Sequence, residues 1–209
     1  INVGDPITIE ITVNPTGQVN SVGNVIVSNG FDTSLVEFST TNVNGTTTFI
    51  WTNDLTTIGL AASGTGDIPA FTAINTGTSP VIATITVTPT FENGGVSCTG
   101  PATPFEITVN PTAQVNPTVD MVVTDGDDID IPFSTINTGG TSTYTWTNTD
   151  PTTGLTNTGS SDIGFTAVNT GTSPITTTVV VTPTFENGGN SNSGPTDTFI
   201  ITVNPTAQI

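Results

Sequence analysis

The sequence predicts an all-β protein made of two tandem β-sandwich repeats, and three observations carry that prediction. Leu appears 4 times among 209 residues against 41 Ile plus Val, and 49 Thr bring the β-branched types to 90. Such side chains are stiff about χ1, which lowers helix propensity and suits a pleated surface. The segment ITVNP occurs at Ile11 to Pro15, Ile107 to Pro111 and Ile201 to Pro205, at offsets of 96 and 94 residues. Trp51 returns as Trp146, while NTGTSP from Asn75 and VTPTFENGG from Val87 return from Asn169 and Val181. Self-similarity at a fixed period is the signature of a repeat architecture. Within each unit, short alternating runs are divided by Gly, Asn, Pro and Thr, the pattern of a sandwich rather than of βαβ units.

Taken in order, residues 1–14 read as the closing strand of a preceding repeat, 15–110 as repeat 1, 111–204 as repeat 2 and 205–209 as the start of a further linker. Opening strands are expected near Val19 to Val27 and Val115 to Val123. Val36 and Phe38 match Ile131 and Phe133. Phe49, Ile50 and Trp51 match Tyr144, Thr145 and Trp146, so the ring positions face inward and the middle one faces water. Phe71 and Ala73 match Phe165 and Ala167, and Ala83, Ile85 and Val87 match Thr177, Val179 and Val181. Phe105, Ile107 and Val109 match Phe199, Ile201 and Val203, giving six or seven strands per repeat around Trp51 or Trp146. Pro89 and Pro183 fall inside strand-like runs and predict a bend, because a missing N–H is tolerated only at an edge or bulge. The junction NPTAQVNP, Asn110 to Pro117, predicts a semi-rigid join.

Ile9, Ile11 and Val13 align with Phe105, Ile107, Val109 and with Phe199, Ile201, Val203, so three copies of one strand serve two bodies. If the strand closes the repeat before it, residues 1–14 are an apolar strand that pairs with a neighbouring molecule. In the other frame the tail after Thr198 is the surplus copy.

Charge excludes much chemistry. The chain has 17 Asp plus Glu and no Lys, Arg or His. Nothing neutralises phosphates, so nucleic-acid and polybasic membrane docking lose their basis. His-based triads, His-ligated zinc and Schiff-base lysines are absent, and the expectation is a non-enzymatic protein. Leu, Ile, Val and Phe total 55 residues, enough apolar content for a packed core. The first residue is Ile, and no apolar run approaches the roughly 20 residues that span a bilayer. The expectation is a soluble piece of something longer.

The densest acidic cluster is Asp125, Asp127, Asp128 and Asp130, a candidate Ca2+ site that stands against a solvated acidic turn. Its spacing fits no EF-hand. Aligned at an offset of 95, repeat 1 offers Gly30, Asp32, Thr33 and Leu35, so three of the four acids do not recur. Asp32 with Asp127, Asp67 with Asp162, and Glu92 with Glu186 recur beside Gly and Asn and read as turn chemistry. Thr84, Thr86, Thr88 and Thr141, Thr143, Thr145, Thr147 put hydroxyls along strand faces that suit ice or carbohydrate, and equally suit ordinary solvent. Cys98 is the single cysteine and has no basic neighbour to activate it. Asn44-Gly-Thr46 fits a glycosylation sequon and marks a surface turn.

TTTFIWTN and STYTWTN, with GLAASGTGDI, FTAINTGTSP, ITVTPTFENGGVSCTGP and ITVNPTAQVNP, resemble the PKD-like, immunoglobulin-like repeats of giant Bacteroidota-type cell-surface proteins, including gliding-motility-associated adhesins. The resemblance covers nearly the whole chain. It implies an elongated extracellular array of many copies, exported by the type IX route and held at or released from the cell surface. Its partners would be neighbouring repeats, with neighbouring chains reached by strand pairing and no membrane insertion. The function expected is a structural stalk that extends a remote binding tip; the alternatives are a filament subunit using strand exchange and a glycan- or surface-binding module. The resemblance also implies a cysteine in the early strand, where this chain has Ser28 and Thr124, and another where it has Cys98 and Asn192. The implied bridge is therefore absent from both copies, and no cofactor beyond the candidate Ca2+ is expected.

Overall fold

The computed structural model describes residues 4, 5 and 7–207. The chain is all-β, with two tandem β-sandwich repeats and, among the described residues, no helical element beyond single 3-10 turns at Thr56–Ile58 and Pro151–Thr153. Repeat 1 contains β1 (Val25–Ser28), β2 (Thr46–Asn53), β3 (Ser63–Thr65), β4 (Val81–Asn93), β5 (Val96–Thr99) and β6 (Thr103–Asn110). They form one sheet in the order β1-β6-β4-β2-β3, with β5 pairing β4. The β1–β6 pair is parallel and the other pairs are antiparallel. Repeat 2 repeats this plan with β7 (Met121–Thr124), β8 (Asp128–Ile131), β9 (Thr141–Asn148), β10 (Thr158–Ser160), β11 (Ile163–Thr166), β12 (Ile175–Asn187), β13 (Asn190–Ser193) and β14 (Asp197–Asn204). Its main sheet has the order β10-β9-β12-β14-β7, and β8 and β11 pair separately as the second layer. In repeat 1 that layer is reduced to two bridges, Asp32 with Thr72 and Val36 with Ile68. Val36, Phe38, Phe71 and Ala73 therefore occupy the expected layer as looser segments rather than full strands. The opening strands are also shorter than expected, since only Val25–Ser28 and Met121–Thr124 pair.

Alternation places the core where the sequence put it. Phe49 and Trp51 are buried and Ile50 is 53% exposed between them. In repeat 2 Trp146 is buried, Tyr144 is half-buried and Thr145 exposed. Each Trp stands opposite a glycine on the neighbouring strand, Gly64 or Gly159. A Cβ at either glycine would lie 2.2 Å from the indole, so the ring lies flat across the bare backbone. Ile85, Val87, Ile107 and Val109 close the first core, and Val179, Val181, Ile201 and Val203 the second.

Pro89 and Pro183 do not interrupt their strands. β4 runs unbroken from Val81 to Asn93, and the interruption lies in its partner, which changes from β6 to β5 across residues 100–102. The carbonyl of Phe49 accepts from Gly66, so the Phe49–Pro89 pair is a non-hydrogen-bonded one and the Pro89 nitrogen faces the changeover. The prolyl carbonyl on that side accepts from Gly100, and that of Pro183 from Gly194. A proline is thus accommodated in a central strand because no acceptor stands opposite its missing N–H. The entering linker covers the gap: a Cβ on Gly100 would meet the Gly17 carbonyl, and one on Gly194 the Ala113 carbonyl.

Because Trp146 anchors its own core without reaching the first one, Trp146→Ala should destabilise repeat 2 by roughly 3–5 kcal/mol, a large share of one domain's stability. Calorimetry should then show loss of one transition with the other retained; unchanged melting would show that the indole is not the anchor.

Candidate functional site at the junction between repeats

With no cation in the chain, carboxylates find backbone N–H groups and hydroxyls instead. Asp67 accepts from the Phe38 amide and Asp162 from the Phe133 amide, each at 2.8 Å. Asp54 accepts from the Thr84 amide, Asp120 from the Ile200 amide, and Glu186 from the Gly189 amide. The Asp197 carboxylate accepts from both the amide and the hydroxyl of Thr118. Burial of Asp197 opposes ionisation, but the Thr118 bonds and one from the Thr198 amide hold its carboxyl below the usual range. Asp150 is held low by the hydroxyl and amide of Thr152.

The four acids of the Asp125–Asp130 segment separate in the same way. Asp125 accepts from the Asn169 amide, Asp127 from the Thr124 amide, and Asp128 from the Thr166 hydroxyl. Asp130 is exposed on β8. Among the described residues no three Asp, Glu or Cys side chains converge into a set that could hold a metal ion. The structure also corrects the alignment of this turn. Asp32 accepts from Thr72 as Asp128 does from Thr166, so the recurring acid is Asp128 and not Asp127. Phe31 occupies the place of Asp127, donating its amide to Ser28 as Asp127 donates to Thr124.

Cys98 and Asn192 are equivalent, paired across the hairpin with Phe91 and Phe185. Ser28 lies beside Asn110, at the end of the sheet where Val109 pairs with Val81. Ten residues of strand separate that end from Phe91, on the order of 30 Å. Positions 28 and 98 are thus too far apart to bridge within one repeat. Asn44 sits in a left-handed turn with φ of 60°. The Thr rows lie on the solvent face of each main sheet, where Thr143, Thr184 and Ser193 stand side by side on β9, β12 and β13.

The features not foreseen are asparagines. Asn75 donates to the carbonyls of Ser79 and Val109 and accepts from Gly77; Asn169 repeats all three with Ser173, Val203 and Gly171. Asn53 and Asn148, from the WTN triplets, satisfy the loops that follow them. Their recurrence is visible in the sequence, but an Asn beside a turn reads there as loop punctuation.

One asparagine joins the repeats. Asn110 is fully buried at the end of β6. It donates to the backbone carbonyls of Asn187 and Asn190 at 3.1 and 3.4 Å and accepts from the Asn187 side-chain Nδ2 at 2.9 Å. It thereby grips the tip of the β12–β13 hairpin. Beside it the Ser28 hydroxyl bonds Asn190 at 2.6 Å, and Ile26 covers Gly188, where a Cβ would lie 2.4 Å away. A second contact comes from the loop ahead of β9, where the Thr138 amide donates to the Thr78 carbonyl at 2.9 Å. Both contacts lie around the end of β6, where the side chain of Asn75 ties Ser79 to Val109. Asn14 makes the same grip on the hairpin of repeat 1, donating to Asn93 and Val96 and accepting from Asn93.

No protein-family model and no curated protein matches the chain. Among solved structures it is similar to the three N-terminal domains of the bacteriophage RB49 highly immunogenic outer capsid protein, at 14% identity over 91% of this chain and 69% of that one, with a TM-score of 0.47. Mouse cadherin-23 EC22-24 is similar at 14% identity over 90% of this chain and 66% of that one, TM-score 0.43. Human mucin-like protocadherin EC1-2 is similar at 13% identity over 90% and 98%, TM-score 0.36.

Two predictions follow from the carboxylates. A formal charge of −17 without counter-charges is relieved by screening, and the Debye length falls from about 30 Å at 0.01 M salt to about 8 Å at 0.15 M. The melting temperature should rise over that range, equally for Mg2+ and Ca2+ at matched concentration; a selective rise with Ca2+ would assign an ion to Asp125–Asp130. The lowered Asp197 contributes stability that is present above the ordinary carboxylate value of about 3.9 and lost as pH falls through its folded value. Asp197→Ala should lower the midpoint by roughly 2–4 °C at pH 7, an effect of about 0.5 kcal/mol after solvent screening. The difference from wild type should shrink as pH falls below about 4; a difference constant with pH would show that the charge is not involved.

Proposed function

We propose that the chain is a non-enzymatic stalk segment of an extracellular bacterial surface adhesin or fibre, of the gliding-motility-associated type exported by the type IX route. The observation that carries this reading is the joint. A tether between independent binding modules needs only length, but here residues from both repeats bond across the junction around Asn110. Such a joint transmits orientation along a series of bodies and keeps a remote tip away from the cell.

The sheet topology suits the same task. The chain enters a repeat beside the β4–β5 hairpin, where Gly17 donates to Cys98, and leaves from the far end of β6 at Asn110. β1 and β6 are parallel and in register over four residue pairs, Val25 with Ile107 through Ser28 with Asn110. Tension along the chain loads those hydrogen bonds together in shear and not one at a time. The acidic, cation-free surface keeps neighbouring stalks apart by repulsion.

A second reading, direct recognition of glycan or an abiotic surface, is favoured by the hydroxyl rows on the outer faces of β2, β4, β9 and β12. A glycan array probed with the whole chain separates it from the first.

A compact globule of this length would have a radius of gyration of roughly 17 Å. Small-angle scattering should give a clearly larger value and an elongated distance distribution; a near-spherical particle would overturn the stalk reading.

A further inference from the structure

The stretch Ile7–Val13 is out of keeping with the rest of the protein. Ile7, Ile9, Ile11 and Val13 are 79–89% exposed, and no strand pairing is assigned to residues 7–13. The counterparts of Ile9, Ile11 and Val13, namely Phe105, Ile107, Val109 and Phe199, Ile201, Val203, are at most 5% exposed. The alternation is that of a strand whose inward face has no body to enter. The tail of the chain is not the surplus copy, because β14 is paired on both sides, with β12 and β7.

The match extends beyond the apolar positions. Gly4 aligns with Gly100 and Gly194, both required where the entering linker crosses, yet nothing lies within 4 Å of a Cβ at Gly4. Asn14, at the end of the segment, makes the grip that Asn110 makes at the end of β6. So residues 4–14 carry the glycine, the strand and the joint of a repeat's last segment. Half of that joint is already formed, and the empty half is the sandwich that the strand would close.

We propose that residues 7–14 are the closing strand of a separate sandwich of this same repeat type, one that lacks its own last strand. The segment lies between that body's counterparts of β4 and β1, antiparallel to the first and parallel to the second. Ile9, Ile11 and Val13 fill its core, and Asn14 fixes its angle to repeat 1. This rests on the serial-repeat reading and names the partner of its free end.

The test is a chain in which residues 111–190, a repeat-2 body that ends at the first residue of β13, stand directly ahead of Ile1, so that Gly4 falls where Gly194 stood, with all 209 residues retained. The expected result is a third calorimetric transition, with amide exchange at Ile9, Ile11 and Val13 slowed as in a paired strand. Ile11→Asp should abolish the third transition in the extended chain while leaving both transitions of the unextended chain in place. Added residues that stay unfolded while the original two bodies melt as before would overturn the proposal, as would a third transition insensitive to Ile11→Asp. Oligomers of the unextended chain, seen by light scattering and lost with Ile11→Asp, would assign the strand to a second copy instead and also overturn it. Scattering of the unextended chain judges the stalk reading independently.

Discussion

Apart from Trp51 Nε1 and Asn192 Oδ1, the buried polar side chains among the described residues find partners without any positively charged side chain, and the carboxamide of asparagine carries much of that work. It offers two donors and an acceptor with two lone pairs and carries no charge that burial would penalise. Asn75 and Asn169 use this to tie the penultimate carbonyl of a closing strand, that of Val109 or Val203, to the loop beside it. Asn110 uses it between bodies. A carboxylate there could only accept, and would leave the Asn187 and Asn190 carbonyls facing another acceptor.

The carboxylates that do occur stay at the rim, where turn amides and threonine hydroxyls meet them. Asparagine amides serve the interior, acids the edge, and most sheet threonines the outer faces, while Thr33, Thr153 and Thr177 are buried. This arrangement lets a chain with a formal charge of −17 fold around an apolar core in which like charges do not come into contact.

The joint and the core share one geometric origin. β6 ends the sheet of repeat 1 at Asn110, and the chain continues through Pro111 and Thr112 over the changeover in repeat 2, where Ala113 crosses Gly194. The linker therefore belongs to the packing of both bodies. It covers the gap that a central proline leaves, and it places Asn110 against the hairpin tip. Changing the linker would alter a core and a joint together.

What the sequence determined by itself was what repetition and alternation encode: the all-β class, two bodies, inward Trp51 and Trp146, and turn roles for Asp67 and Asp162. These are legible because period-two burial is local and because one copy checks the other. Only the tertiary structure decided the rest. Pro89 predicted a bend by its own rule, but the interruption belonged to its partner strands, which lie beyond any local window. The one-residue shift that makes Asp128 the partner of Asp32 was hidden, since an alignment cannot weigh a hydrogen bond from Thr166. Asn110 looked like loop punctuation until β6 and the β12–β13 hairpin met, 77 residues apart in the chain. Contacts of that separation depend on how completed sheets stack, and that stacking is a property of the assembled bodies that no local pattern in the chain expresses.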